Sequence, residues 1–205
     1  MSDESCPVAI EKREDGTPVI TGYASVFYVG GDAGTEYQLF PDLKERIMPR
    51  AFNKALAEKH NAAGLFNHDP NIILGRVSAG TLKLWKDQRG LRYEITPPAS
   101  RRDVVESIER GDVTGSSFGF RVLEQKFRTE EGMDVREIHG VELFDVSPVL
   151  FPAYAGTTTS LRALGDAHEA RSAFDSWKEE QEAERRKLTE RLGHLAARAK
   201  EVTGA

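Results

Sequence analysis

Gly115-Ser116-Ser117-Phe118-Gly119-Phe120 is the stretch on which the fold reading turns. Taken as a strand it alternates, with Ser116, Phe118, Phe120 and Val122 facing one way and Ser117, Gly119 and Arg121 the other. The aromatic side belongs in a core. On the other side Gly115 and Gly119 flank Ser117 at two residues' distance, so its hydroxyl stands on an open strip of backbone. Glycine inside a strand weakens it and often marks a close approach by a ligand or another backbone. A serine displayed between two such gaps suits a nucleophile that attacks a peptide. The plainer alternative is a small residue lying beneath a neighbouring element. The alternation also separates the two serines, because Ser116 goes with the phenylalanines.

Outward from this strand the chain reads as mostly β. Ser100-Arg101-Arg102-Asp103 resembles a capping box, with Val104, Val105 and Ile108 behind it and Gly111 as the stop. Thr129 to Asp134 is a polar hairpin loop, and Val135 to Val149 returns as a strand. Upstream, Val19 to Phe27 alternates as a strand, a short strand passes through Glu45 to Met48, and Pro49 opens a helix striped by Phe52, Ala55 and Leu56. Gly64 to Pro70 is a short strand running into a turn, with His68 at the junction, and Ile72 to Val77 continues as a strand. Leu82 to Lys86 and Leu91 to Ile95 flank Asp87-Gln88-Arg89-Gly90 as a hairpin. Residues up to about Glu14 form a loose arm or a first edge strand. Seven or so strands with two short inserted helices predict a mainly β (α+β) fold, a closed or nearly closed barrel in preference to a parallel α/β sheet.

From Asp166 onward the character changes. This segment has no proline, only Gly193 and Gly204 as glycines, and nine acidic residues balanced by eight basic ones. Leu188, Leu192, Leu195, Ala199 and Val202 follow a 4-3-4-3 spacing, and Phe174, Trp177 and Gln181 fit an offset seam. The expected organisation is a domain over residues 1–164 and a charged amphipathic helical tail over residues 165–205. The tail either packs on its own domain or associates with a partner or a second copy through residues 166–203.

The totals narrow the function. The 205-residue chain has a net charge of -5 and a pI of about 5.6, which argues against a nucleic-acid binder working through a basic face. Cys6 is the only cysteine, so neither a disulfide framework nor a thiolate metal site is expected. Met1-Ser2-Asp3-Glu4-Ser5 is acidic and no window reaches a membrane span, so the expectation is a soluble protein of a reducing compartment, without membrane or cofactor.

Serine hydrolysis needs a nucleophile, a base and a group that orients the base. Of the five histidines, His60, His168 and His194 lie in polar or charged surroundings and read as solvated, and His139 sits on a late strand. His68 differs, because Leu65-Phe66 leads into it and a turn follows, a place that holds an imidazole while leaving one nitrogen free. Asp145 is a lone carboxylate inside Val141-Glu142-Leu143-Phe144-Asp145-Val146-Ser147, and a buried carboxylate needs a partner. A histidine would serve, and so would backbone N–H groups. Two rivals use other chemistry. A metal hydrolase would draw on His68, Asp69 and His60 or His139, but the chain has no His-Glu-x-x-His. The letters of a GxSxG elbow occur at Gly115 to Gly119, yet they lie inside a strand, whereas the elbow needs strand, turn, then helix.

At these residues the chain resembles the prohead (capsid maturation) proteases of tailed phages and prophages. The resemblance runs from about Gly22 to Leu161. It rests on Gly22-Tyr23-Ala24-Ser25-Val26-Phe27, Ile47-Met48-Pro49-Arg50-Ala51-Phe52, Phe66-Asn67-His68-Asp69, Gly75-Arg76 and Gly90-Leu91. It continues through Gly115 to Phe120, Phe144-Asp145-Val146-Ser147-Pro148-Val149 and Pro152-Ala153-Tyr154, all in order. Members look like relatives of the herpesvirus assembly protease, which implies a β-barrel core with helices around it. The resemblance implies a serine endopeptidase acting in the bacterial host cytoplasm, inside the assembling prohead. There it would cut the scaffolding segment from the major capsid protein, and commonly itself, with the portal protein as a further candidate partner. By position it implies Ser117 as nucleophile, His68 as base and Asp145 as third member, where the family often has glutamate; His139 is the alternative. Backbone N–H groups near Ser117 and Phe118 are the candidate oxyanion donors. A catalytically silent scaffold or assembly protein with the same fold is the other class that would fit.

Overall fold

Residues 8–58, 61–151 and 164–203 are described by the structure, a computed structural model. Cys6, His60 and the Pro152-Ala153-Tyr154 part of the resemblance lie outside them. The chain divides into two compact units, Met1–Arg162 and Ala163–Ala205.

The described residues of the first unit form ten strands: β1 (Val8–Lys12), β2 (Pro18–Val26), β3 (Tyr37–Phe40), β4 (Leu43–Ile47), β5 (Ala63–Phe66), β6 (Asp69–Arg76), β7 (Leu82–Lys86), β8 (Gly90–Ile95), β9 (Gly115–Glu130) and β10 (Met133–Val149). Helix α1 (Asn53–Ala57) and helix α2 (Arg102–Glu109) are inserted between strands. One sheet has the order β1-β2-β8-β7, and the other β3-β4-β10-β5-β6 with β9 added on β10. Strand β10 organises the second sheet: β9 runs antiparallel along one edge, while β4 and β5 pair parallel to different segments of it.

The aromatic face of β9 lies in the core as its alternation predicts. Phe118 stacks on Phe120 at 4.5 Å between centroids and meets Phe52 edge-on at 5.3 Å, and Phe52 leads on to Phe27 at 6.2 Å. Ser116, on the same face and fully buried, bonds the Tyr93 hydroxyl of β8 at 2.7 Å and so ties the two sheets together. The sheets also close in where Gly64 of β5 pairs with Gly75 of β6. A Cβ at Gly64 would stand 2.8 Å from Ile95 Cδ1, so side chains there would hold β8 away.

Several sequence expectations change. The hydrogen-bonded strands do not close into a barrel among the described residues, where β9 has a ladder partner on one edge only. Two parallel pairings to β10 make its sheet mixed, and neither could be read from the sequence of one strand. β3 was not anticipated; its sequence is short and ends in an irregular pairing with β4. Ser100 does not cap α2: a 3-10 turn over Ala99–Arg101 precedes the helix, and Arg101 at its N-cap makes no side-chain capping bond, its guanidinium donating to Asn71 O instead.

The half of β10 near the β9–β10 turn carries an alternating chain of charges. Glu36 binds Lys44 and Arg46; Arg46 reaches Glu130, Glu130 meets Arg128, and Arg128 binds Glu137. Beneath it, buried Arg136 pairs with buried Glu45 at 2.9 Å. Burial pushes the Glu36 carboxyl up, but hydrogen bonds and charge from Arg46 and Lys44 outweigh it and hold the group below its ordinary value of 4.5. The second unit contains α3 (Leu164–Thr203), on which Leu188, Leu192 and Leu195 are exposed and Phe174 stacks on Trp177. No helix among the described residues is long and apolar enough to cross a membrane.

Because the folded Glu36 carboxyl titrates below its unfolded value, its stabilisation is present above pH 4.5 and fades as pH falls through the lowered folded value. Wild type is therefore expected to be more stable than Glu36→Gln at neutral pH, with the gap closing only below that point. Urea midpoints measured from pH 3 to pH 7, on the order of four values, check this.

Candidate active site

Three neighbouring strands supply the candidate residues: Ser117 from β9, Asp145 from β10, and His68 from the loop that ends β5. How they come to one face follows from register. Phe120 pairs with Leu143 and Phe118 with Val146, so β10 uses one more residue than β9 over this interval. The extra residue is Phe144, half-exposed at a bulge. Strict alternation from Leu143 would send Asp145 into the core with the phenylalanines. The bulge reverses the phase, so Asp145 pairs with Gly119 and Ser147 with Ser117. Ser117, Gly119, Asp145 and Ser147 thus share one face, opposite Ser116, Phe118 and Val146.

His68 arrives by a two-residue turn. Phe66 pairs with Asp69, and the residues between them, Asn67 and His68, both have left-handed backbones with φ of 51° and 58°. That is the signature of a type I′ hairpin turn, which Asn and His enter more readily than most residues. The turn therefore lies at Asn67-His68 itself, where the sequence suggests a turn following His68, and Asp69 and Pro70 already belong to β6. The turn is tied to the end of β10: Asn67 N–H donates to Pro148 O at 3.0 Å, and Leu150 N–H donates to Asn67 Oδ1 at 2.8 Å.

His68 Nδ1 and Asp145 Oδ1 lie 2.7 Å apart. An ionised carboxylate only accepts, so His68 donates from Nδ1, and among the described residues no hydrogen bond engages its Nε2. The Asp145 side chain is 12% exposed and that of His68 22%, while Ser117 is 3% exposed. A Ser117–His68 hydrogen bond is not among those of the described residues, and unliganded hydrolytic sites often close that contact only around substrate.

His139 is placed elsewhere. It lies six residues before Asp145 on β10, about 20 Å away along an extended strand. Arg50 Nε–H donates to its Nδ1 at 3.0 Å and its Nε2–H donates to Glu137 at 3.0 Å, which joins it to the charge chain of the far half of the sheet. Both of its nitrogens are taken, and it does not meet His68. The strip beside Ser117 also differs from expectation. Over Gly119 it is filled by the Asp145 carboxylate: a Cβ at Gly119 would stand 2.1 Å from Asp145 Oδ2. Beyond it, on the same face, Arg121 pairs with Glu142. A groove of about 550 Å³ follows, lined by Lys54, Glu58, Arg76, Arg121, Leu123 and Phe144 among others. Sequence reasoning missed Ser147, which donates to Asp145; its position two residues after the carboxylate was the available signal.

The profile of a family described as the caudovirus prohead serine protease matches residues 5–171. No curated protein and no solved structure gives a significant match.

The left-handed turn makes a specific demand. Asn67→Gly loses the bond to Leu150 but keeps the backbone free, whereas Asn67→Ala loses the bond and adds strain. Asn67→Ala is expected to be about 1–2 kcal/mol less stable than Asn67→Gly, as read from paired urea unfolding curves.

Proposed function

The chain belongs to the caudovirus prohead serine protease family, and from that premise we propose that it is an endopeptidase with Ser117 as nucleophile, His68 as general base and Asp145 as orienting carboxylate. The observation that carries this reading is the His68 Nδ1–Asp145 Oδ1 bond at 2.7 Å, made at the edge of the face that bears Ser117. It commits Nδ1 to the carboxylate and leaves Nε2 as the imidazole nitrogen that could take a serine proton.

In the proposed reaction Ser117 Oγ attacks the scissile carbonyl as His68 Nε2 takes its proton. Asp145 holds the tautomer and stabilises the imidazolium. The proton then passes to the leaving amine, and water repeats the sequence to release the acyl group from Ser117. Backbone N–H groups at Ser117 and Phe118 are the proposed oxyanion donors, each worth about 3–4 kcal/mol in such a hole. The outer edge of β9 supports an extended substrate adding as a further strand. The proposed substrate is the scaffolding segment of the major capsid protein inside the assembling prohead, together with the chain itself. Helix α3, with Leu188, Leu192 and Leu195 exposed along one stripe, is proposed to associate with a second copy or to tether the enzyme to the capsid scaffold. The portal protein is a further candidate contact.

Co-expression with the major capsid protein, followed by intact-mass analysis of every chain, tests the reading. Wild type is expected to yield defined truncations that are lost in Ser117→Ala and cut by about 10⁴-fold in rate in Asp145→Asn. Identical masses in wild type and Ser117→Ala, with particles still forming, would replace the protease with a silent assembly protein.

A further inference from the structure

The imidazole is not the only group that holds the Asp145 carboxylate. Ser147, fully buried, donates its hydroxyl to the same Oδ1 at 2.6 Å. The second oxygen, Oδ2, rests over the backbone of Gly119, where a Cβ would approach it to 2.1 Å and the carboxyl carbon to 3.1 Å. The terminal torsion of an aspartate is soft, so a single bond to His68 would leave the carboxylate plane free to swing. Two donors on one oxygen and a backbone wall beneath the other remove that freedom.

We propose that Ser147 and Gly119 form a cradle that sets the carboxylate behind His68, with Ser147 a positioning residue that acts through Asp145. This rests on the assignment of Ser117, His68 and Asp145 above. The cradle also divides the work of two serines that stand directly opposite each other on β9 and β10. Directly opposed residues have Cβ atoms about 5 Å apart, and of the two hydroxyls it is that of Ser147 that bonds the carboxylate. With the Ser147 proton on Asp145 Oδ1, the carboxylate is supplied with a donor and the Ser117 proton is left for His68. Glycine is then required at 119 by the carboxylate, and any larger residue must push it off the face. Both elements depend on the Phe144 bulge, which brings Asp145 and Ser147 opposite Gly119 and Ser117 together.

The full chain is treated with a fluorophosphonate probe, which reacts with activated serines whatever their peptide preference, and the maximal labelling rate and half-saturating concentration are measured separately. Ser147→Ala removes one hydrogen bond to a charged group, so the maximal rate is expected to fall about 10- to 100-fold with half-saturation unchanged. Gly119→Ala should fall in the same way. In parallel, proton NMR of wild type is expected to show a far-downfield His68 Nδ1–H resonance that moves upfield or broadens in Ser147→Ala, at a folded fraction equal to wild type by circular dichroism. Labelling of Ser147→Ala at the wild-type rate, or an unchanged His68 resonance, overturns the cradle, and the resonance reads it independently of probe turnover. Ser117→Ala separates the two levels. If that variant labels like wild type, the nucleophile assignment falls; if it is silent while Ser147→Ala labels at full rate, only the cradle falls.

Discussion

One extra residue in β10 decides which face its carboxylate serves. Phe118 against Val146 and Phe120 against Leu143 are buried pairs on either side of the interval. Their packing pins the bulge between them, since sliding it would turn aromatic side chains out of the core. Phe144 is left half-exposed as the cost of that arrangement. In return Asp145 leaves the core phase without leaving the strand, and meets Gly119, Ser147 and His68 on a rigid element. A site built on strands holds its geometry more tightly than one built on loops.

β10 also separates two kinds of polar chemistry along its length. Near the β9–β10 turn, Glu45, Arg46, Arg136 and Glu137 are buried but paired, as burial of charge requires. His139 belongs there, fixed between an arginine that donates to it and a glutamate that accepts from it. At the other end His68 has one nitrogen committed and, among the described residues, no hydrogen bond to the other. The two histidines differ in the property that matters for proton transfer: His139 sits on β10 within the charge chain, whereas His68 reaches Asp145 from the turn between β5 and β6.

The loop that carries His68 is strained and tied down at once. Two consecutive non-glycine residues in the left-handed region persist only where surrounding contacts over-determine them. Here the bonds from Asn67 to Pro148 and from Leu150 to Asn67 do so. These same bonds register the turn against the end of β10, so the strain and the imidazole–carboxylate distance are controlled by the same few atoms.

Alternation in Ser116 to Val122 was enough to separate the core serine from the candidate one, because side-chain period is a local property of any strand. A lone carboxylate in an apolar run marked Asp145, and apolar residues running into a turn marked His68, for the same local reason. Turn position at Asn67-His68, the mixed pairing around β10, the open edge of β9 and the strand at Tyr37 were not legible. Each depends on which distant segment lies alongside. Ser147 and the role of Gly119 stayed hidden for that reason too: by strict alternation Asp145 and Ser147 share the phase of Leu143, with the core. The sequence by itself determined the residue types and their periods. Only the tertiary structure decided the phase, because the bulge at Phe144 is placed by the fit of Phe118 and Phe120 against another strand, and not by any residue near Asp145 alone.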